Sequence, residues 1–124
     1  MAAGDLEVWE CERRFWLDTS NFYKQHVASD ALILLPIRKT PRWTDVTFSD
    51  QRSTFPSLDT ALLAYKARAE AGCPDHAYQA CCSSTYVRVR KSWMLVAHQE
   101  SALGSQQELT ERGALNLFYA VADR

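Results

Sequence analysis

The sequence has no apolar run that approaches the roughly 18 residues of a membrane span, and no predominance of either charge. Its 124 residues carry a formal net charge of −1. The basic stripe that a nucleic-acid binder would normally show is missing. Arg88, Arg90 and Lys91 form only a small basic cluster, of the kind a solvated strand face carries. The first residues, MAAGDLEVWECERR, lack the apolar core of a signal peptide. Of the four cysteines (Cys11, Cys73, Cys81 and Cys82), none is spaced in pairs as metal ligands are. Cys81 and Cys82 are strand neighbours that point to opposite faces and cannot chelate one ion together. No cofactor and no metal is expected. A reduced, cytoplasmic chain without nucleic-acid or membrane partners is the expectation.

What is present is the composition of one folded domain, 47% hydrophobic and 11% aromatic. A chain of this length buries about two-thirds of its unfolded surface, enough for a core without staples. The central stretch is Tyr78 to Ser101. Tyr86 to Arg90 alternates, so Val87 and Val89 share one face and the arginines the other. Lys91-Ser92 reads as a polar turn, and Trp93 to Gln99 resumes with β-branched, aromatic and long apolar side chains. This pattern predicts an antiparallel hairpin at the centre of a sheet.

Residues 5–18 read as a helix with acids in its first turn. Leu6, Trp9, Trp16 and Leu17 fall on one arc of the wheel, and Val8, Cys11 and Phe15 on nearly the opposite one, which predicts neighbours on two sides. The capping cluster Asp18 to Asn21 precedes a short second helix ending near Ala28. Ser29-Asp30 then turns the chain into an apolar strand, Ala31–Leu35, that stops at Pro36. Thr44 to Phe55 reads as a strand interrupted near Ser49-Asp50, and Pro56 to Asp59 as a turn. Thr60–Ala71 is ambiguous: its residue types favour a helix, whereas Leu63, Tyr65, Ala67 and Ala69 alternate with Lys66, Arg68 and Glu70. The tail, from Gly104 to Arg124, reads as a helix. Ser105 and Glu108 stand at capping-box spacing, and Ala114, Leu115, Phe118, Val121 and Ala122 form its apolar stripe. Residues 1–103 are thus read as the main domain and 104–124 as a helical extension.

The N-terminal helix with Trp9 and Phe15-Trp16, the strand entered at Asp30-Ala31, Trp43, Asp45, Asp50, Tyr65, Tyr78, Ser84-Thr85-Tyr86, Trp93 and His98-Gln99 occur in a familiar order. Together they resemble the SnoaL-like branch of the nuclear-transport-factor-2-like superfamily. The resemblance implies an α+β cone, in which a curved antiparallel sheet wraps the long first helix around a pocket. It also implies that Thr60–Ala71 is a strand. Two departures stand out. Six residues, Ile37 to Arg42, leave no room for the further helix members usually carry there, and the C-terminal helix is an addition that would cover the gap, on its own subunit or on a partner. Steroid isomerases of this superfamily use an Asp before the strand-ending proline as base, but Leu35 holds that place and cannot take a proton.

His98 is the remaining titratable candidate for acid–base work, with Asp45, Asp50 or Tyr65 as possible partners. Strand parity opposes it: if Trp93, Leu95 and Ala97 face inward, Gln99 joins them and His98 faces out. The candidate catalytic set is Asp45, Tyr65 and His98. The candidate ligand-binding set is Trp9, Trp16, Trp43, Tyr65, Tyr78, Trp93 and Gln99, suited to a small, largely apolar molecule. The expected function is binding of that molecule inside the cone, by a chain that forms a homodimer through the outer face of its sheet; the alternatives are a SnoaL-like isomerase, hydrolase or cyclase, and a protein-association module with a filled interior.

Overall fold

The computed structural model describes residues 3–17, 20–35, 43–72 and 77–103. Two helices, α1 (Ala3–Leu17) and α2 (Ser20–His26), precede five strands: β1 (Val27–Leu34), β2 (Asp45–Ser57), β3 (Thr60–Glu70), β4 (Tyr78–Val89) and β5 (Ser92–Ala102). The strands form one open sheet in the order β1-β5-β4-β3-β2. The β2–β3, β3–β4 and β4–β5 pairs are antiparallel, whereas β1 runs parallel to β5. The sheet is therefore mixed, not purely antiparallel, and the fold is an α+β cone with α1 lying in its concave side.

Burial settles Thr60–Glu70 as a strand. Ala61, Leu63, Tyr65, Ala67 and Ala69 are buried, and the residues between them are exposed. A helix over the same stretch would turn Leu63 and Tyr65 to different sides. Paired with a neighbour on each edge, β3 buries both in one core, so tertiary packing overrides the helix propensity of its Ala, Leu, Lys and Arg.

Local irregularities bend this sheet. In β2, Ser49 pairs with Lys66 and Arg52 with Ala64, so two residues of β2 stand opposite Tyr65 alone. Asp50, within that bulge, has φ 51°, a left-handed conformation that aspartate tolerates better than most residues. This is the interruption expected near Ser49-Asp50, accommodated inside a continuous strand. A second extra residue between Thr54 and Ser57 takes in Pro56, and only the Leu58-Asp59 pair that follows forms the turn. β2 has no partner on its outer edge in the sheet order, the place where a proline can sit in a strand. The β4–β5 turn is Arg90-Lys91, one residue earlier than Lys91-Ser92, with φ values of 52° and 69°. Positive φ at both central residues fits the tight hairpin twist but is unfavourable without glycine. α2 ends at His26, and Ser29-Asp30 lies within β1 instead of preceding it.

Among the described residues, α1 is not sandwiched between two layers. Its buried positions are Val8, Glu12, Phe15 and Trp16, flanked by half-buried Trp9 and Cys11, while Leu6, Glu7, Glu10 and Arg13 are exposed. The two apolar arcs are the shoulders of one broad face, and a carboxylate stands at its middle. The C-terminal stretch read as a helix, from Gly104 to Arg124, lies outside the described residues, as do Ile37 to Arg42. No described helix is long and apolar enough to cross a membrane.

Candidate functional site

The middle of the concave side is polar because three strands aim hydroxyl and acid–base groups at Glu12. β3 supplies Tyr65, β4 supplies Tyr78, Ser84 and Tyr86 on its inward parity, and β5 supplies His98 and Glu100. Glu12 Oε1 accepts a hydrogen bond from Tyr86 Oη at 2.7 Å. Its Oε2 accepts from Ser84 Oγ at 2.5 Å and from Tyr65 Oη. Trp16 Nε1 donates in turn to Tyr65 Oη at 2.9 Å. His98 Nδ1 lies 2.7 Å from Ser84 Oγ and 3.4 Å from Glu12 Oε2, and His98 Nε2 lies 2.8 Å from Glu100 Oε2. Tyr78 Oη donates to Glu100 Oε1 at 2.8 Å.

This geometry determines where the protons sit. Ser84 has one hydroxyl proton, directed at Glu12, so its lone pairs face His98. Both ring nitrogens of His98 then look at acceptors, and only the imidazolium satisfies both. Burial, the largest single influence, would push the His98 pKa down. Hydrogen bonds to Glu100 and Glu12 and the charges of those carboxylates outweigh it, raising it from 6.5 to about 9. Burial likewise acts to raise Glu12, but the bond and charge of His98, with Ser84 and Tyr65 as donors, bring it below the usual carboxylate range. Burial, followed by the charge of Glu12, holds the phenols of Tyr65 and Tyr86 well above their ordinary value. Glu12 and His98 are thus a buried ion pair, with Glu100 as a second anion against the imidazolium.

Such a cluster is poorly suited to acid–base turnover. A histidine that keeps its proton at neutral pH is no general base there, and its hydrogen bonds are already made. Cys82 is no nucleophile beside it: burial, then the charges of Glu100 and Glu12, push its thiol up. Cys81 is exposed on the opposite face. Among the described residues, no group of histidines, cysteines and acids is arranged to hold a metal.

Of the residues singled out from sequence, the structure gathers Trp16, Tyr65, Tyr78 and His98 into this one network. Trp43 stacks on Tyr78, with centroids 5.5 Å apart and ring planes at 7°. Trp9 packs edge-on against Tyr65 at 5.4 Å, from the flank. Trp93 lies further along the concave side, against Phe55 at 6.1 Å. Asp45 is apart from the network: it is exposed at the start of β2 and pairs with Arg13 at 3.4 Å. Asp50 pairs with Lys66 on the surface.

Strict alternation along β5, which would turn His98 outward with Trp93 inward, does not hold. Thr85 pairs with Ala97 but Tyr86 with Leu95, which leaves Val96 as an extra residue. A one-residue bulge exchanges the two sides of everything beyond it. Trp93 and Leu95 face inward before it, His98 and Glu100 after it, and Gln99 goes to the outer side. Glu12 and Glu100 were not singled out from sequence, and Ser84 and Tyr86 entered only through the family resemblance, not as candidate site residues. Tyr86 and Ser84 share parity with Tyr78, and Glu12 lies between the apolar arcs of α1, so three of the four had a legible signal. Glu100 had none without the bulge.

No protein-family model matches the chain, and no curated protein is significantly similar to it. Similarity is found among solved structures. An NTF2-like protein from Cytophaga hutchinsonii superimposes with a TM-score of 0.64 at 15% identity, over 83% of this chain and 100% of that one. The association domain of C. elegans CaMKII gives 0.59 at 12% identity, over 75% and 88%. An NTF2-like protein of unknown function from Prochlorococcus gives 0.64 at 11%, over 88% and 99%. At such identities the likeness is one of fold, and it singles out no branch among these proteins.

Proposed function

We propose that this chain, whose fold is that of the nuclear-transport-factor-2-like proteins, is a self-association domain in which two copies meet through the outer face of the sheet. The observation that carries this reading is the character of that face across β2, β3 and β4. Leu62, exposed to 39%, and Ala64 lie among the short hydroxyl side chains of Thr54, Ser83 and Thr85, around a shallow depression of 340 Å³. An apolar side chain ringed by small ones is what a close-packed, self-complementary contact needs. Lys66 and Arg68 lie further along the same face of β3 and supply a polar rim. The mutual pairing of Glu12, Ser84, His98 and Glu100 agrees with a supporting and not a catalytic role for these groups. Several similar structures are association domains or hubs by name, which supports the same reading.

The amphipathic segment 104–124 is proposed to dock on this assembly, within its own subunit or on the partner. A cytoplasmic setting belongs to the same proposal, with the thiol of Cys81 exposed and free. Sedimentation analysis tests the association: a dimer is expected, and Leu62→Glu together with Ala64→Arg is expected to give a folded monomer. A wild-type chain that stays monomeric at its highest soluble concentration overturns the reading. Deletion of residues 104–124 without change in stability or oligomer size argues against docking of the tail.

A second reading places a small, largely apolar molecule in the cone, and the stacked Trp43–Tyr78 pair favours it. That pair forms a flat aromatic platform, with the Tyr78 hydroxyl anchored on Glu100. Native mass spectrometry of the purified protein tests it; a bound small molecule lost on Trp43→Ala supports this reading, and ligand-free protein counts against it.

A further inference from the structure

His98 is not the only cation on the concave side. Arg88 follows Tyr86 on the inward parity of β4, at the end of the sheet where α1 begins. Its guanidinium lies over the ring of Trp93, 4.3 Å from the centroid. One terminal nitrogen is 3.7 Å from where a Cβ on Gly4 would stand. Among the described residues the Arg88 side chain has no ion pair and no hydrogen bond, and its Nε is buried without an acceptor. A buried donor with no acceptor is costly. Stacking covers one face of the guanidinium and leaves its edge, where all five N–H groups lie, for an acceptor.

The same guanidinium lines a depression of 410 Å³ with Gly4, Asp5, Phe55, Ser57 and Leu58. Its walls are apolar where Phe55 and Leu58 contribute, 38% and 88% exposed. Asp5 is not the missing partner of Arg88: Ser53 Oγ donates to its Oδ1 at 2.8 Å, and it makes no bridge to the arginine. Its negative charge nevertheless bears on what can enter. A dianion such as phosphate meets more repulsion there than a monoanion does, and an uncharged apolar molecule leaves Arg88 unsatisfied.

We propose that this depression is a binding site for a small monocarboxylate with an apolar body, its carboxylate on the edge of Arg88 and its body against Phe55 and Leu58. A carboxylate matches the guanidinium fork with two parallel hydrogen bonds. The site lies at the opposite end of α1 from the Trp43–Tyr78 platform and is independent of how the outer face of the sheet associates.

Titration of the ¹⁵N-labelled full chain with sodium octanoate, read by amide and arginine Nε–H shifts, tests the proposal. Saturating shifts are expected at Gly4, Leu58 and the Arg88 side chain, with binding at least about tenfold weaker for octanamide and for inorganic phosphate. Arg88→Met is expected to abolish the octanoate response. Leu58→Asp changes a residue exposed enough to leave the fold intact, and is expected to weaken it several-fold. Equal binding of octanoate and octanamide, the absence of saturation, or shifts centred on Trp43 and Tyr78 would each overturn the assignment. The octanoate-to-octanamide ratio and the Leu58→Asp result decide the matter even where Arg88→Met does not fold.

Discussion

His98 and Arg88 both lie on the concave side of this sheet, and they are treated in opposite ways. His98 is enclosed, with each ring nitrogen on an acceptor and a carboxylate on either side. Arg88 is half-buried, stacked on Trp93, and has no anion beside it among the described residues. The contrast shows that charge in an interior is not by itself a sign of function. A buried charge whose partners are all supplied by the chain holds the fold together or keeps its arrangement unique, and removing a partner is what hurts. A charge left without a partner beside an open, apolar depression invites a ligand to complete it.

The largest effect is expected from breaking the paired end. Glu12→Gln leaves His98 charged with one carboxylate fewer, and urea unfolding should show a loss of about 3–5 kcal/mol. The pH dependence of unfolding comes next. The His98 pKa is raised from 6.5 to about 9, so its contribution is fully present below pH 6.5 and is lost as pH rises through 9, amounting to roughly 3 kcal/mol. Glu12 is lowered from 4.5, so its contribution is present above pH 4.5 and is lost as pH falls through its folded value. Together these two groups give a plateau between pH 4.5 and 6.5, and His98→Leu should flatten the alkaline limb. Glu100→Gln touches only the Tyr78 and His98 bonds, and a loss of roughly 1.5–3 kcal/mol is expected, smaller than that for Glu12→Gln.

The Arg88 end should respond weakly. Replacing Arg90-Lys91 with Asn-Gly relieves two unfavourable left-handed residues and should stabilise by about 1–2 kcal/mol. The smallest change is expected for Arg88→Met: thermal unfolding within about 1 kcal/mol of wild type, and an unaltered pH profile. A large loss of stability there would mean that Arg88 is as structural as His98, and the contrast between the two ends would fail.

Much of the fold was legible in the residues. The β4–β5 hairpin (though with its turn read one residue late), the irregularity near Asp50 and the α1 helix follow from alternation, turn chemistry and periodicity. Thr60–Glu70 did not, because its propensity and its pattern conflict and only the pairing on both edges decides between them. The parallel β1–β5 pairing was also hidden, since nothing local in Val27–Leu34 records which way its neighbour runs. In the site, Tyr65, Tyr78 and Trp16 were visible as inward aromatics. Glu12 was overlooked because a carboxylate on an apolar helix face looks like a gap between two faces, when it is the centre of one. Alternation alone turns His98 outward if Trp93 faces in, because it cannot foresee a single extra residue upstream.

That extra residue, Val96, works as a phase shifter. Downstream of it an imidazole and a carboxylate occupy the cone while an amide looks outward; with one residue fewer, the amide would take the interior and both ionisable groups would be turned out to solvent. Lineages sharing this scaffold can therefore exchange an ionic interior for a neutral one by a single-codon insertion or deletion, without altering any of the side chains concerned. Residue-by-residue alignment of such relatives would misread that exchange as loss of the residues themselves.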